Sequence, residues 1–236
     1  MTFSDWDINS HGSGVFVGGT DGTSRRHIYL ENPITDSGDF CRHWTRDGTG
    51  TGSTVLHFSL KETLDAGKFF EMPSEKISIR ARLRLGLNFF PNNTAIGIVA
   101  KFDPSSISAT TTSPKGYTTL IGDTAETLTN GNIKIVCDNK TGVHSTTQST
   151  SSATLDEWLK IRMDVTPISA TEDLIEVYTG TDGSEDWTLI ESKTVLDSDT
   201  FWIPWTETNN GKIGFFILNS NPSADLFIDN FEVWLG

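Results

Sequence analysis

The sequence has little cysteine and no long apolar run, and each shortage excludes a class of protein. Two cysteines, Cys41 and Cys137, in 236 residues are too few for a disulfide framework or a Cys-based zinc site. We expect both in the core, with a disulfide between them left open. No apolar stretch approaches the roughly 20 residues that a membrane-spanning helix needs, so we expect no membrane insertion. The N-terminus, MTFSDWDINSHGSG, lacks a basic segment followed by an apolar one, and no secretory signal peptide is predicted.

Basic residues are scarce in the second half of the chain. Residues 1–118 hold 12 acids and 12 Lys or Arg, whereas residues 119–236 hold 19 acids and 6 bases, so the whole net charge of −13 arises after residue 118. Nucleic acid and anionic membranes are therefore disfavoured as partners, because phosphate binding needs clustered Lys and Arg. The acidic excess fits either solubility or the binding of a divalent cation.

Turn signals recur along the chain between short apolar or alternating runs. Asp-Gly or Asn-Gly pairs stand at 21–22, 47–48, 130–131, 182–183 and 210–211, and such pairs favour tight hairpins. The runs between them predict strands at 14–18, 53–60, 76–85, 95–102, 132–138, 157–165, 173–180, 187–193, 212–219 and 224–236. Only residues 60–70 suit a short helix, and the Ser/Thr-rich tracts 105–113 and 145–154 suit loops or sheet edges. The pattern predicts one all-β domain over residues 1–236, a sandwich or a barrel, with residues 1–12 a candidate N-terminal arm.

The order of the last segments is informative. EWLKIRMDV, DLIEVYTGTDGSEDWTLI, NNGKIGFFILN and ADLFIDNFEVWLG follow one another in residues 157–236. This order resembles the closing half of the concanavalin A-like lectin and glucanase superfamily, and ISIRARLRLG with AIGIVAKF suits its inner strands. The resemblance covers roughly residues 75–236. It implies a jelly-roll sandwich of two antiparallel sheets, a fold that serves lectins, hydrolases, lyases and viral coat proteins alike.

The catalytic motifs of that superfamily are missing from the sequence. Laminarinase-like members carry Glu-x-Asp-x-Glu on one strand, and none of the 12 Glu begins that pattern. Alginate-lyase-like members use Arg-x-Glu-x-Arg, whereas the comparable run here is Arg80-Ala81-Arg82-Leu83-Arg84, without a Glu. We therefore expect no enzymatic activity.

Asp229 is the most unusual residue of the final segment. A two-residue period places it on the face of Phe227, Phe231, Val233 and Leu235, and burying an unpaired carboxylate is costly. In several members of the resembled superfamily the matching Asp helps to hold a structural calcium ion, and Asp5 and Asp7 of this chain offer further oxygen ligands. The alternative is that Asp229 accepts backbone N–H bonds from a neighbouring loop.

An alternating arginine row is the second candidate site. Arg80, Arg82 and Arg84 fall on one face of a predicted strand, and Lys160 and Arg162 fall similarly on another. If the two strands are neighbours, a basic strip lines one sheet surface and suits a carboxylated or sulfated glycan. The alternative is cross-strand pairing with acidic residues, for which Asp164, Glu176 and Glu191 are available.

A third candidate is the aromatic segment DSDTFWIPWTETNNG at residues 197–211. Pro204 argues against a central strand. Phe201, Trp202 and Trp205 suit stacking on sugar rings or anchoring a protein partner, or else they cap one end of the core.

Two classes of function remain open. The first is a non-catalytic virion-surface or extracellular structural module, such as a phage head-decoration or tail-adhesion protein, whose partners are a surface glycan, neighbouring subunits or a second copy of the chain. The second is a carbohydrate-binding module or a polysaccharide-degrading enzyme. Oligomeric assembly favours the first, and two acidic residues facing one cleft favour the second.

Overall fold

The fold is described by a computed structural model over strands and a few connecting residues. The described residues are 6–12, 26–31, 41–46, 54–60, 76–86, 95–102, 116–122, 132–138, 144–169, 172–196, 212–219 and 225–235. Within these ranges every regular element is a strand. No helix suited to crossing a membrane is found among them.

Most strands from residue 54 onward agree closely with the runs that the sequence predicted. They are β1 Trp6–Gly12, β2 Arg26–Glu31, β3 Cys41–Arg46, β4 Thr54–Leu60, β5 Ile77–Leu85, β6 Ala95–Phe102, β7 Gly116–Gly122, β8 Asn132–Asp138, β9 His144–Ser152, β10 Trp158–Ser169, β11 Glu172–Thr181, β12 Thr188–Leu196, β13 Lys212–Asn219 and β14 Asp225–Leu235. Strands β1, β2, β3 and β7 were not predicted from the sequence, and β9 lies in a tract that was predicted to form a loop or a sheet edge. The predicted strand at 14–18 and the short helix at 60–70 lie outside the described residues.

The strands form two antiparallel sheets of seven strands each. The first sheet has the order β1-β4-β13-β6-β7-β8-β9, and the second has the order β12-β11-β10-β5-β14-β3-β2. Strands distant in sequence are neighbours in both sheets, as in the pairing of β5 with β10 and β14. The predicted all-β sandwich of two antiparallel sheets is confirmed.

The core lies between the sheets and is built from alternating apolar residues of both. On β5, alternate residues from Ile77 to Leu85 are buried, which is what a two-residue period dictates for a strand with one face in the core. Facing them, the first sheet contributes Ile98, Ile135 and Phe215 to the same cluster. The arginines that alternate with the buried residues of β5 therefore point away from the core.

Two predicted local features are present in the structure. The Asp182-Gly183 pair forms the turn of the β11–β12 hairpin, where Gly183 has a φ of +76° and the Ser184 amide donates to the Thr181 carbonyl at 3.1 Å. The Ser/Thr-rich tract at 145–154 largely forms β9, which is an edge strand of the first sheet.

The predicted face of Phe227 is wrong. Register places Phe227 opposite Arg84 of β5 and places Ile228 opposite Leu83. Residues directly opposite one another in an antiparallel pair lie on the same face. Accordingly Ile228 belongs to the core cluster, and the guanidinium carbon of Arg84 lies 5.9 Å from the ring centroid of Phe227.

A bulge in β14 is the physical reason for this difference. The register shifts between Asp229, opposite Arg82, and Glu232, opposite Arg80. One extra residue in a strand reverses the alternation of faces beyond it. Val233 therefore packs against the core, whereas Asp229 takes a register position opposite Arg82 and not in the row of Val233.

The cysteines lie in different sheets, Cys41 at the start of β3 and Cys137 in β8, and the disulfide stays a prediction.

Residues 6–12 of the candidate N-terminal arm form β1, which pairs with β4 of the same chain. The single-domain assignment stays a prediction.

Candidate functional site

The arginine row of β5 lies beside the basic residues of β10, which is the neighbourhood that the predicted basic strip requires. Arg82 stands opposite Lys160, and Arg80 stands opposite Arg162. Both pairs lie on the face that points away from the core, because the residues between them on β5 are buried. We call the surface formed by Arg80, Arg82, Arg84, Lys160 and Arg162 the cationic face.

Three cations of this face form ion pairs, each with a carboxylate close to a guanidinium. Arg82 Nη2 lies 2.6 Å from Asp182 Oδ2, Arg84 Nη2 lies 2.6 Å from Asp156 Oδ1, and Arg162 Nη2 lies 3.0 Å from Asp164 Oδ2. The two alternatives left open by the sequence, a basic strip and pairing with acidic residues, thus both hold in part.

The paired acids only partly match the prediction. Of the three acids expected to pair across the strands, Asp164 pairs with Arg162 of its own strand. Its ion pair across the strands is with Lys76, which precedes β5, at 2.6 Å. Asp182 and Asp156 were missed because they lie in connections, not in strands. Asp156 has a φ of 62°, a left-handed conformation that Asp tolerates better than most residues. Its amide donates to the Leu85 carbonyl at 2.7 Å, and this contact holds Asp156 beside the end of β5.

Arg80 differs from the other arginines of the face because it forms no ion pair among the described residues. Its Nε atom is buried and has no hydrogen-bond partner there. Glu232, opposite Arg80 in register, accepts a hydrogen bond of 2.9 Å from Trp234 Nε1 instead. Arg80 therefore presents a partly buried guanidinium whose donors are not taken up by a carboxylate of the described residues.

Indole rings flank Arg80 on two sides. The guanidinium carbon of Arg80 lies 5.9 Å from the ring centroid of Trp187 and 5.4 Å from that of Trp234. Lys160 Nζ lies 4.6 Å from the Trp187 centroid. Such distances are within the range of cation–π attraction. Neither tryptophan was predicted as a site residue, although the alternation of β14 and the hairpin that contains Trp187 were visible in the sequence.

The connection between β11 and β12 forms one wall of the site. We call residues 182–187 the hairpin loop. Asp182 pairs with Arg82, and Lys160 Nζ donates to the Ser184 carbonyl. Gly180 lets the backbone of the hairpin loop lie close to β11, since a Cβ atom at residue 180 would meet the Asp186 carbonyl oxygen at 2.6 Å. The loop is therefore attached to the cationic face by its own side chains and backbone.

A cavity opens between the hairpin loop and the cationic face. Its volume is about 650 Å³, and its lining includes Arg80, Arg82, Lys160, Asp182, Trp187 and Glu232. Glu185 lines the cavity as well, so six of its ten lining residues are charged and Trp187 is the one aromatic residue among them. A lining with so many charged groups suits a polar ligand better than an apolar one. The arrangement can hold an anionic group by charge-assisted hydrogen bonds and an apolar ring face by stacking.

Tyr178 borders the cationic face at Arg162, whose guanidinium carbon lies 3.9 Å from its ring centroid. Partial burial raises the pKa of the Tyr178 hydroxyl above its ordinary value, and the charges of Glu176 and Asp164 raise it further. The phenol therefore stays protonated at neutral pH and is poorly suited to act as a general base.

The other predicted site residues are not brought together by the described part of the chain. Phe201, Trp202, Trp205 and Asp5 lie outside the described residues. Asp7 lies in β1 of the first sheet, and Asp229 lies in β14 of the second. Among the described residues no three His, Cys, Asp or Glu side chains form a group able to hold a metal ion. Calcium binding by Asp229, Asp5 and Asp7 stays a prediction.

Solved structures share this fold at low sequence identity. No protein-family model and no curated protein sequence matches the chain. An endo-β-1,4-glucuronan lyase from the fungus Trichoderma reesei has a TM-score of 0.54 at 10% identity, covering 88% of this chain and 86% of the lyase. The carbohydrate recognition domain of Emp46p, in a metal-free form, has a TM-score of 0.53 at 10% identity, covering 98% and 88%.

Longer chains match as well. The binding domain of Paraclostridial Mosquitocidal Protein 1 has a TM-score of 0.50 at 12% identity, and the match covers 88% of this chain. The chain spans less than half the length of such matches, 42% of that domain and 44% of HCR/D-Sa-GBL1/C. At these identities the likeness concerns the fold alone, which is that of a lectin-like β-sandwich.

Proposed function

We propose that the chain is a non-catalytic binding module of the concanavalin A-like superfamily that holds a glycan bearing carboxylate or sulfate groups on the cationic face. The single observation that carries the proposal is Arg80. Its guanidinium lies beside a cavity of about 650 Å³, between two indole rings, and without a carboxylate partner among the described residues. A guanidinium in that setting matches the planar geometry of a carboxylate or sulfate.

The surroundings of Arg80 favour a saccharide over a small inorganic anion. Aromatic rings provide apolar faces on which sugar rings stack, and Trp187 and Trp234 supply two of them. Trp234 is 52% exposed, so its ring is accessible to a ligand. The folds of a glucuronan lyase and of a carbohydrate recognition domain support a saccharide ligand by analogy only.

Binding without catalysis is supported by the sequence, which lacks the Glu-x-Asp-x-Glu and Arg-x-Glu-x-Arg motifs of the catalytic members of the concanavalin A-like superfamily. The alternative is a lyase that acts on polyuronates, which the fold shared with the glucuronan lyase favours. The acids Asp182, Glu185 and Glu232 line one cavity, and this also favours the enzyme alternative. A virion-surface role and assembly with other subunits are further proposals for the same module. Light scattering of the purified chain tests whether it assembles.

The test is a binding titration of uronate-containing oligosaccharides followed by calorimetry, using two matched variants. Arg80→Gln removes the guanidinium that forms no ion pair among the described residues. Arg84→Gln removes a guanidinium further along the same face, which pairs with the partly exposed Asp156 and does not line the cavity. We expect Arg80→Gln to weaken binding at least about tenfold, since a charge-assisted hydrogen bond contributes about 1.5–3 kcal/mol. Arg84→Gln is expected to change it less than about threefold.

Two outcomes would contradict the proposal. Equal losses in the two variants would assign binding to general charge attraction, and no binding by the native chain would remove the site. Incubating the chain with polyglucuronate and following the ultraviolet absorbance of unsaturated products tests the lyase alternative, which a steady rise dependent on Arg80 would favour.

A further inference from the structure

The cations of the cationic face are neutralised in an uneven pattern. Along β5, Arg84 and Arg82 each pair with a carboxylate, whereas Arg80 has no such partner among the described residues. On β10, Arg162 pairs with Asp164, whereas Lys160 donates to a backbone carbonyl of the hairpin loop. An ammonium group has three donors, so Lys160 keeps donors for a further acceptor.

These two cations, Arg80 and Lys160, are near one another. They occupy diagonal positions on paired strands, which places their backbones within about 8 Å. Their charged groups both lie within 5.9 Å of the centroid of Trp187, and both residues line the cavity. Glu185 and Glu232 line the same cavity, so Arg80 and Lys160 together offer room for one anionic group and not for several.

An extended polyanion meets a different environment at the next position. Alternate residues of a strand are about 7 Å apart, so a ligand lying along β5 with its first charge at Arg80 brings a second charge to Arg82. The carboxylate of Asp182 already lies 2.6 Å from that guanidinium. A second ligand carboxylate must displace Asp182 or accept its repulsion.

Asp182 is held in this position by the geometry of the hairpin. The turn at Gly183 is closed by the hydrogen bond from the Ser184 amide to the Thr181 carbonyl, 3.1 Å long, and Lys160 holds the Ser184 carbonyl. The Arg82 side chain is only 11% exposed, so the pair is screened less than an ordinary surface pair. Displacing Asp182 therefore costs more than breaking an exposed ion pair.

We infer that the site takes a saccharide with one isolated carboxylate, bound by Arg80 and Lys160, and that Asp182 is the specificity-determining residue that excludes chains with an acid on every sugar. The inference rests on the proposed function, since it concerns the ligand of the same surface. It assigns to the hairpin loop a role in selecting between acidic saccharides.

Three probes of equal length test the inference by calorimetry at several salt concentrations. They are a neutral cello-oligosaccharide, the same oligosaccharide with one terminal glucuronate, and an oligoglucuronate. For the native chain we expect the mono-acidic probe to bind at least about fivefold more tightly than either other probe. We expect the affinity of Asp182→Asn for oligoglucuronate to rise about tenfold, and its affinity for the mono-acidic probe to change less than about threefold. The slope of log affinity against log salt for oligoglucuronate should steepen by about one, because one more charge pair forms.

Two further variants separate specificity from loop structure. Asp182→Glu keeps the carboxylate and should keep the native preference. Asp156→Asn removes a carboxylate that pairs with Arg84 away from the cavity, and it should leave the preference unchanged. Thermal melting of each variant checks that the fold is kept.

The outcomes distinguish this inference from the proposed function. If no probe binds the native chain, the proposed function fails. If the mono-acidic probe binds through Arg80 but the native chain prefers oligoglucuronate, the proposed function stands and the inference is overturned. The inference is also overturned if Asp182→Asn leaves oligoglucuronate binding unchanged.

Discussion

Ser78 donates a hydrogen bond of 2.6 Å to Oδ1 of Asp164 across the pairing of β5 and β10. The Asp164 side chain is 0% exposed, and its Oδ2 atom lies 2.6 Å from Lys76 Nζ and 3.0 Å from Arg162 Nη2. The two Oδ2 contacts are close ion pairs without the directional geometry of hydrogen bonds. A buried carboxylate therefore fixes two cations and one hydroxyl at the end of the cationic face.

We predict that Asp164→Asn lowers the free energy of unfolding by roughly 3 kcal/mol, because it leaves two cations without their buried counter-charge. Asp156→Asn is the matched control, since Asp156 is 47% exposed in its pair with Arg84 and exposed pairs contribute about 0–1 kcal/mol. Urea unfolding of both variants measures the difference. Losses of similar size would contradict the structural role of Asp164.

A second buried carboxylate connects the two sheets through the core. Tyr117 of β7, in the first sheet, donates a hydrogen bond of 2.7 Å to Asp173 of β11, in the second. Both side chains are buried. The interaction fixes the position of one sheet on the other in a way that apolar contacts alone do not.

We predict that Tyr117→Phe destabilises the fold by about 1–3 kcal/mol, the cost of removing a hydrogen bond to a buried charged group. The slope of unfolding free energy against urea should not change, since the surface exposed on unfolding is nearly the same. Val195→Ala in the core is a useful comparison, because it loses packing and no hydrogen bond. A neutral result for Tyr117→Phe would show that Asp173 needs no donor from Tyr117.

Two glycines of the β11–β12 hairpin should respond differently to the same substitution. A Cβ atom at Gly180 would meet the Asp186 carbonyl oxygen at 2.6 Å, whereas nothing lies within 4 Å of one at Gly183, where φ is +76°. We predict that Gly180→Ala displaces the hairpin loop and weakens glycan binding. Gly183→Ala should cost about 1–2 kcal/mol of stability through left-handed strain but weaken binding less than Gly180→Ala, because the added Cβ meets no atom within 4 Å. Calorimetric titration and thermal melting of the two variants test the prediction. Weaker binding by Gly183→Ala than by Gly180→Ala would contradict it.

The extent to which the sequence predicted the structure is clear at β5. The alternation of arginines with apolar residues predicted both the strand and its two faces, because burial of one face enforces a two-residue period. The neighbouring position of β10 also followed, from the resemblance to a known fold. The basic strip is thus a property that local pattern and topology together determine.

Other parts of the site depend on contacts that no local pattern contains. The bulge in β14 inserts one residue, and the faces of Phe227 and Val233 cannot both be derived from one period. Asp182 reaches Arg82 across 100 residues of sequence, through a hairpin whose turn was predicted but whose fold over the face was not. Trp187 lies near three cations of the face for the same reason.

The calcium prediction is tested by chelation. If Asp229 helps to hold a structural cation together with Asp5 and Asp7, adding EDTA should lower the melting temperature, because a ligand that binds only the folded state stabilises it. Adding excess calcium should restore it. The register position of Asp229 opposite Arg82 offers a different source of positive charge. A melting temperature unaffected by EDTA would contradict the calcium prediction.

Tyr178 makes stability depend on pH in the alkaline range. Burial, with the charges of Glu176 and Asp164, raises the pKa of the folded-state phenol above its ordinary value of 10.0. As the pH rises past that value, the unfolded chain loses this proton first and binds fewer protons than the folded chain. The free energy of unfolding therefore falls with pH. This contribution is complete below the ordinary pKa and is lost as the pH rises through the raised one.

We predict that Tyr178→Phe, which cannot ionise, shows a shallower fall in unfolding free energy than the native chain between about pH 9 and about pH 11. Urea unfolding at a series of pH values measures both. The deprotonation of lysines is common to the two proteins, so the difference between their curves isolates Tyr178. Parallel curves would show that the phenol titrates alike in the folded and unfolded states, and would contradict the raised pKa of Tyr178.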